Sequence, residues 1–221
     1  MRFVFQHGWG FSSSCWNGWL DLLDAPAILG NRGYWDTSVL LNNSDIQPDS
    51  ILICHSLGIH LVPQDLIHMA DMVVIISGFA HFHGDTVADG RFTKRHVQRM
   101  LSRLATEPEQ LIRDFHRDCE FTESLIHVKT INTALLTSDL QVLNESRLEK
   151  SYCQRWPPTL LIHGRDDRII SPLRAEELAV LPKKSQLRII DGAGHGLPFN
   201  QPSLCLNLIV DFYRHITHSG E

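Results

Sequence analysis

Six short apolar runs, each bounded by turn-forming residues, constrain the fold of this 221-residue chain more than any other feature. They are FVF (3–5), AILG (27–30), ILIC (51–54), MVVIIS (72–77), TLLIHG (159–164) and LRIID (187–191). Most of them do not alternate with polar residues, so both faces of each predicted strand have to be covered by other elements. Helical patterns follow the third, fifth and sixth runs, at 56–69, 171–181 and 203–216. This alternation predicts an α/β fold with a mostly parallel, doubly wound sheet.

Residues 80–155 interrupt this alternation, because they contain no strand-like apolar run. The stretches 91–105 and 108–121 carry helical patterns instead. We interpret 80–155 as a helical lid insertion within a single domain that spans the whole chain. After the third run we expect one helix over 56–69, with Pro63 tolerated near its first turns.

The composition excludes several classes of protein. The formal net charge of −5 at pH 7 argues against a general nucleic-acid binder, whose affinity depends on neutralising phosphates. The five cysteines are widely spaced and form no C-x-x-C pair, which is typical of reduced thiols rather than of disulfides or a zinc site. No segment approaches the roughly 20 apolar residues that span a bilayer, and the first residues show no secretory leader. We therefore expect a soluble, cytoplasmic monomer with no membrane or nucleic-acid partner.

Residues 54–58, Cys-His-Ser-Leu-Gly, nearly match the G-x-S-x-G nucleophile elbow. Ser56 directly follows a predicted strand and precedes a helical pattern, which is the context that this motif requires. Because the turn is sharp, the residues two before and two after the serine have to be small. Gly58 meets this requirement, whereas Cys54 is larger but still compact. The pentapeptide alone leaves three interpretations open: a Ser56 nucleophile, a Cys54 nucleophile, or a buried strand end.

Two loops at later strand ends carry the partners that a serine nucleophile needs. Asp166 and Asp167 follow the fifth apolar run, and His195 lies in a glycine-flanked loop after the sixth. Taken singly, such an aspartate is typical of a turn or helix cap, and such a histidine of an ordinary loop. Together they stand in the order Ser, Asp, His at the carboxyl ends of parallel strands, where such sheets assemble their sites. The sequence therefore predicts a catalytic triad of Ser56, His195 and one of the two neighbouring aspartates, Asp166 or Asp167.

A His-Gly-Trp-Gly sequence at residues 7–10 directly follows the first apolar run. Acyl transfer needs two backbone N–H groups aimed at the developing oxyanion, and a loop of this kind supplies one of them. We assign that donor to Trp9 and the other to Leu57, which follows the nucleophile. In isolation the same four residues are also compatible with an ordinary glycine-rich turn.

These motifs make the chain similar to the α/β-hydrolase superfamily over nearly its whole length, and within it the chain resembles the pimeloyl-acyl-carrier-protein methyl ester esterases of biotin synthesis. The resemblance rests on HGWG followed by Trp16, HSLG, GRDDRIIS, GAGHGLPFNQP and INTALLTSDL (131–140). It implies an α/β-hydrolase fold, Asp167 as the catalytic acid three residues after Gly164, no metal or organic cofactor, and an ester carried by acyl-carrier protein. The sequence departs from the family pattern at Cys54 and in GNRGYWDTS (30–38).

The predicted function is carboxylic ester hydrolysis, with the methyl ester of pimeloyl-acyl-carrier protein as the substrate. Three alternatives stay open: a generic short-chain carboxylesterase, a menaquinone-pathway lyase that uses the same triad, and a non-catalytic binding protein with a hydrolase fold. The complete set of triad residues argues against the last of them.

A basic stripe marks the insertion, because five basic residues fall on one side of a predicted helix that has no acidic residue from 90 to 106. They are Arg91, Lys94, Arg95, Arg99 and Arg103. Two interpretations stay open for this stripe: a solvated helix face, or docking of an acidic partner, which under the resemblance is acyl-carrier protein. For the acyl pocket we expect Trp9, Phe115 and Phe121 as lining residues, and Leu111 as a core residue.

Two further patterns compete with the serine site. HFHGD (81–85) matches the H-x-H-x-D of dinuclear metallohydrolases, but Thr86 stands where that motif has another histidine, and no coherent set of further ligands follows. We therefore expect no metal site. Cys54, two residues before the apex of the elbow, is expected to lie on the strand and to pack as a small apolar side chain.

Overall fold

The structure, a computed structural model, describes residues 1–84, 87–121 and 130–218. Its six strands are β1 (Arg2–Gln6), β2 (Ala27–Gly30), β3 (Ser50–His55), β4 (Met72–Ile76), β5 (Thr159–Gly164) and β6 (Ser185–Ile190). They form one sheet in the order β2-β1-β3-β4-β5-β6, and every pairing of strands within the described residues is parallel. The predicted parallel sheet is confirmed, and each strand overlaps one of the six apolar runs.

The described helices follow and cover these strands. They are α1 (Asn17–Leu20), α2 (Gly58–Leu61), α3 (Gln64–Met69), α4 (Val87–Thr106), α5 (Pro108–Asp118), α6 (Thr133–Glu145), α7 (Lys150–Cys153), α8 (Pro172–Ala179), α9 (Leu197–Asn200) and α10 (Pro202–His218). None of the helices in the described ranges combines the length and the apolar character that crossing a bilayer requires.

The central strands are apolar throughout because both faces of the sheet are covered. In β3, Ile51 and Ile53 pack on the face that α1 and α10 cover. Leu52 and Cys54 pack on the opposite face, against α2, α3, α7 and α8. Complete burial of an aliphatic side chain contributes about 1.5–3 kcal/mol, so a polar residue at any of these positions would be costly.

The segment after the elbow differs from the prediction of one helix over 56–69. Two short helices, α2 and α3, replace it, and the chain is extended at Val62 between them. Pro63 causes the break, because it lacks an N–H for the helical ladder and keeps the preceding residue out of the helical region.

Helices α4 to α7 lie between β4 and β5, where the sequence indicated a helical insertion. Whereas α7 packs on the sheet itself, the apolar side chains of α4, α5 and α6 form a third cluster, separate from the two on the faces of the sheet. Leu111 of α5 and Leu136 of α6 pack there with Trp9 and Leu57, which belong to the loops after β1 and β3. The insertion therefore packs on the two loops that carry the predicted oxyanion donors.

Candidate active site

Ser56 occupies a strained turn at the carboxyl end of β3. Its φ of +52° lies in the left-handed region that residues other than glycine rarely adopt. The surroundings impose this conformation: the Ser56 N–H donates to the carbonyl of Ile76 at 2.9 Å. A Cβ at Gly58 would come within 2.7 Å of the carbonyl oxygen of Gln6, so a glycine is required there. Strain of this kind persists only where the surrounding structure holds it, and it is common at functional sites.

Cys54 is fully buried on the far side of the strand, among the aliphatic residues under α2 and α3. Burial raises the pKa of its thiol well above the usual value. The thiolate form that a nucleophile needs is therefore disfavoured. Ser56, by contrast, lines a cavity.

His195 and Asp167 are bonded to each other in the loops that follow β6 and β5, at the same end of the sheet as Ser56. Nδ1 of His195 lies 2.8 Å from Oδ2 of Asp167, and both side chains are buried. Because the carboxylate is an acceptor, Nδ1 carries the proton and Nε2 keeps its lone pair. Nε2 is buried and has no hydrogen-bond partner among the described residues. This imidazole is oriented to accept a proton from outside the pair.

Asp167 is held as a carboxylate in spite of its burial. Burial by itself raises the pKa of Asp167, but the imidazoles of His195 and His163 outweigh it and hold the pKa below its usual range. Nε2 of His163 lies 3.3 Å from Oδ2 of Asp167 and 2.9 Å from the carbonyl of Ile170. His163 was not predicted from the sequence; the signal for it is a histidine at the end of an otherwise apolar strand, four residues before the acid.

Two buried side chains fix the backbone of His195. Nε2 of His55 donates to the carbonyl of His195 at 3.1 Å, and Oγ of Ser77 donates to the same oxygen at 3.3 Å. Burial lowers the pKa of His55 well below its usual value, so this imidazole is neutral. Neither residue was predicted as part of the site, although His55 lies within the elbow motif.

The HGWG loop (residues 7–10) packs directly on the elbow. A Cβ at Gly8 would come within 2.9 Å of the carbonyl oxygen of His55 and 3.0 Å of Cβ of Ser56. Neither the backbone N–H of Trp9 nor that of Leu57 donates to an acceptor within the described residues. These two donors are thus available for a ligand atom, as the oxyanion prediction requires.

A cavity of about 490 Å³ opens at Ser56. Trp9 and Phe115 lie in its wall, and further apolar wall comes from residues that include Phe82, Met100, Leu140 and Ile170. Charged side chains also line it: Arg117, Asp118, Glu120 and Arg168. The lining thus combines apolar walls with charged groups, and Ser56 lies among them.

Phe121 differs from its prediction as a pocket residue, because it packs in the core rather than among the residues that line this cavity. Its ring lies 5.3 Å from Phe11 and 5.1 Å from Phe199, centroid to centroid. The turn at Glu120, with φ +56°, directs the chain back into the core after α5 ends.

The five members of the basic stripe have different surroundings in the structure. Arg91, Lys94, Arg95 and Arg99 are exposed on α4. Arg103 differs, because its guanidinium is bonded to Glu107 and to Asp114, each at 2.6 Å. Arg103 therefore links α4 to α5, and its guanidinium is already paired with two carboxylates.

The HFHGD motif lies partly outside the described residues, since Asp85 and Thr86 are not among them. The imidazole of His83 is bonded to Thr93 at 2.7 Å and to Asn144 at 3.1 Å. In the described ranges, no group of three or more His, Cys, Asp or Glu side chains is arranged to hold a metal ion.

Comparison with known proteins gives three results. Residues 3–207 match a family model described as the alpha/beta hydrolase family. The biotin biosynthesis bifunctional protein BioHC of Cellvibrio japonicus (strain Ueda107) is 24% identical over 243 residues, covering 95% of this chain but 47% of that protein. The chain thus spans about half the length of this curated relative.

Solved structures share the fold at low sequence identity. An esterase, EaEST, from Exiguobacterium antarcticum superposes with a TM-score of 0.79 at 14% identity, over 97% of this chain and 92% of that one. MenH from S. aureus superposes with a TM-score of 0.70 at 13% identity, over 97% and 94%. At these identities the likeness shows the fold alone.

Proposed function

The chain belongs to the alpha/beta hydrolase family, and from that premise we propose that it is a serine carboxylic ester hydrolase. One observation carries the proposal: the buried His195–Asp167 pair presents an unpartnered imidazole nitrogen at the same sheet edge as Ser56, a strained serine that lines a cavity. Nucleophile, base and orienting carboxylate are the three groups that acyl transfer needs.

The steps follow from these positions. Nε2 of His195 takes the proton of the Ser56 hydroxyl as its oxygen attacks the ester carbonyl, and Asp167 stabilises the imidazolium. The backbone N–H groups of Trp9 and Leu57 donate to the oxyanion. His195 then returns the proton to the leaving alcohol, and a water molecule hydrolyses the acyl-enzyme by the same route. No cofactor takes part in this proposal.

For the substrate we propose the methyl ester of pimeloyl-acyl-carrier protein. The relative's name refers to biotin biosynthesis, and the motifs resemble the esterases of that pathway. The apolar walls of the cavity suit an acyl chain, and the charged residues at its lining suit a polar end.

A test of the chemistry uses a fluorophosphonate probe and short p-nitrophenyl esters. We expect wild type to be labelled and to hydrolyse the esters, and Ser56→Ala to do neither while staying folded. Cys54→Ala serves as the matched control and is expected to keep both activities, since the Cys54 thiol is buried on the other side of the strand. Retained turnover in Ser56→Ala would exclude the triad. Labelling without ester turnover would favour a lyase of the same fold. If wild type showed neither labelling nor turnover, a non-catalytic binding protein would be favoured.

We further propose that acyl-carrier protein docks on α4. The helix has two functional sides: Thr93, His96 and Met100 line the cavity, whereas the exposed members of the basic stripe face outward. An acidic carrier bound to Arg95 and Arg99 would therefore hold its acyl group close to the cavity.

Docking predicts a difference between two substrates. At low salt, Arg95→Gln/Arg99→Gln should raise KM for a carrier-linked ester and leave KM for a p-nitrophenyl ester unchanged, because electrostatic steering acts on the carrier alone. Lys183→Gln/Lys184→Gln is the control. These exposed lysines precede β6, so they lie at the amino end of that strand, whereas the site lies at the carboxyl ends of the strands. Equal KM values for wild type and the arginine variant on the carrier-linked ester would exclude this docking surface.

A further inference from the structure

We propose that α5 and α6 position the HGWG loop, with His116 as the positioning residue. The inference rests on the proposed function, because it assigns to these helices the aim of the Trp9 N–H at the oxyanion. It goes beyond that function because it states that two parts of the chain, the loops after β1 and β3 and the helical insertion, together fix the geometry of the oxyanion site.

His116 of α5 supplies the first anchor. Its Nε2 lies 2.6 Å from the carbonyl oxygen of Gly10, and because a carbonyl only accepts, Nε2 donates. The side chain is 5% exposed. Its ring is stacked on Phe11, with centroids 5.0 Å apart and planes 18° apart. Burial lowers the pKa of His116, so the ring is neutral and the bond persists at neutral pH.

Trp9 supplies the second anchor. Its indole Nε1 donates to the carbonyl of Leu136 in α6 at 2.9 Å, which ties the side chain of the donor residue itself to the insertion. Phe115 packs edge-on against Trp9, with centroids 5.1 Å apart. A Cβ at Gly10, where φ is +72°, would come within 3.2 Å of Phe115, so the loop and α5 are in close contact.

The opposite side of the loop faces the elbow. Gly8 contacts the backbone of His55 and the side chain of Ser56 closely enough that a Cβ would not fit. Within the loop, Nδ1 of His7 donates to the carbonyl of Gly8 at 2.8 Å, since Nε2 of His7 accepts from the N–H of Arg32. The HGWG loop is therefore held between the elbow on one side and α5 and α6 on the other, and the direction of the Trp9 N–H depends on both sets of contacts.

Loss of the His116 bond should act on rate rather than on binding. Without that donor the carbonyl of Gly10 is left buried and unpaired, and the loop is free to turn away from the elbow. The Trp9 N–H then misses the oxyanion, which forms only in the transition state, so kcat falls while KM stays near its wild-type value. A displacement of about 1 Å at such a group costs roughly 10–100-fold in rate.

Three variants test the proposal. His116→Leu removes the donor, and His116→Gln restores an N–H at a similar reach. His60→Leu is the matched control, because Nε2 of His60 likewise donates to a backbone carbonyl, that of Phe79 at 3.0 Å, and its ring is stacked on the same residue. The readouts are kcat and KM for p-nitrophenyl butyrate, and amide hydrogen exchange of the HGWG loop.

We expect His116→Leu to lower kcat about 10-fold or more with KM nearly unchanged, and to speed exchange in the HGWG loop. His116→Gln should recover most of both effects, and His60→Leu should change neither. Wild-type kcat and loop exchange in His116→Leu would overturn the inference, as would an equal loss in His60→Leu. If wild type hydrolyses no ester, the proposed function fails, and the exchange experiment still decides whether His116 holds the loop.

Discussion

The two carboxylate oxygens of Asp167 have different partners. Oδ1 accepts the backbone N–H groups of Ile169 and Ile170, each at 2.8 Å, so the loop after β5 fixes the carboxylate from behind. Oδ2 faces His195 at 2.8 Å and His163 at 3.3 Å. A carboxylate held in this way stays ionised and favours one tautomer of His195, with the proton on Nδ1.

Asp167→Asn is expected to lower kcat for p-nitrophenyl esters about 10⁴-fold. An amide in this place no longer enforces the reactive tautomer and no longer stabilises the imidazolium. Asp166→Asn is the matched control, because its side chain is exposed, and it should keep nearly full activity. A loss below about 10-fold in Asp167→Asn, in a variant that melts like wild type, would contradict the assigned role.

At the scale of single residues, the sequence predicts the positions of those candidate site residues that lie in a local motif or directly after an apolar run. Ser56 lies in an elbow motif, and Asp167 and His195 follow apolar runs, so their places at one sheet edge follow from the topology. His163 and Ser77 could not be predicted in the same way. The contact of Ser77 with His195 arises only when separate strand ends pack together, and that of His163 with Asp167 depends on the turn that follows β5.

At the scale of elements, an ion pair whose carboxylate is buried bonds the loop after β2 to α6. Arg32 donates to Asp139 through Nε at 2.8 Å and Nη2 at 2.7 Å, and the hydroxyl of Tyr34 donates to the same carboxylate at 2.7 Å. Asp139 is 1% exposed. Arg32 and Tyr34 belong to the GNRGYWDTS segment, so the departure from the family pattern there has a structural role in this chain.

Removing both partners of this pair should cost less than the two single removals added together. Arg32→Leu leaves the carboxylate of Asp139 buried without its cation, and the free energy of unfolding should fall by on the order of 3 kcal/mol. The double variant Arg32→Leu/Asp139→Leu should lose less than the sum of the two single variants, by about 1–3 kcal/mol, as measured by urea unfolding. Additive losses would show that the two side chains are not coupled.

The positions of helices could be predicted from the sequence where the helical pattern of apolar residues is long. The helices α4, α5 and α10 fall where the sequence placed them, because each has many residues that repeat at helical spacing. The break at Pro63 was not predicted, since a single proline decides between one helix and two only through local geometry. The ion pair between Arg103 and Asp114 could not be predicted from the sequence, because it depends on how α4 packs against α5.

At the scale of the whole molecule, buried neutral imidazoles make stability depend on pH. Burial lowers the pKa of His7 and of His60 to about 4, against an ordinary value of 6.5. Between these values the unfolded chain binds protons that the folded chain does not, so stability falls as pH drops from about 6.5 to about 4. For His7, which is fully buried, the loss amounts to on the order of 3 kcal/mol.

His60→Gln should therefore flatten this dependence. Urea unfolding at pH 7.5 and at pH 5 should show a smaller difference in unfolding free energy for the variant than for wild type, because one of the buried titrating groups is gone. Leu66→Ala is a suitable control: it creates a cavity in the core and should lower stability equally at both pH values. An unchanged pH difference in His60→Gln would contradict the low pKa of His60.

The order of the site residues along the chain also has a consequence for biosynthesis. A ribosome makes the HGWG loop and Ser56 first, then the insertion, and His195 last; 140 residues separate His55 from His195, whose carbonyl it holds. The strand that leads to His195, β6, lies at the sheet edge and pairs with β5, so it joins a sheet whose other strands already exist. Under the proposed function, a nascent chain thus carries its serine without a base until nearly all of the described sequence has emerged, so ester hydrolysis would begin only after folding.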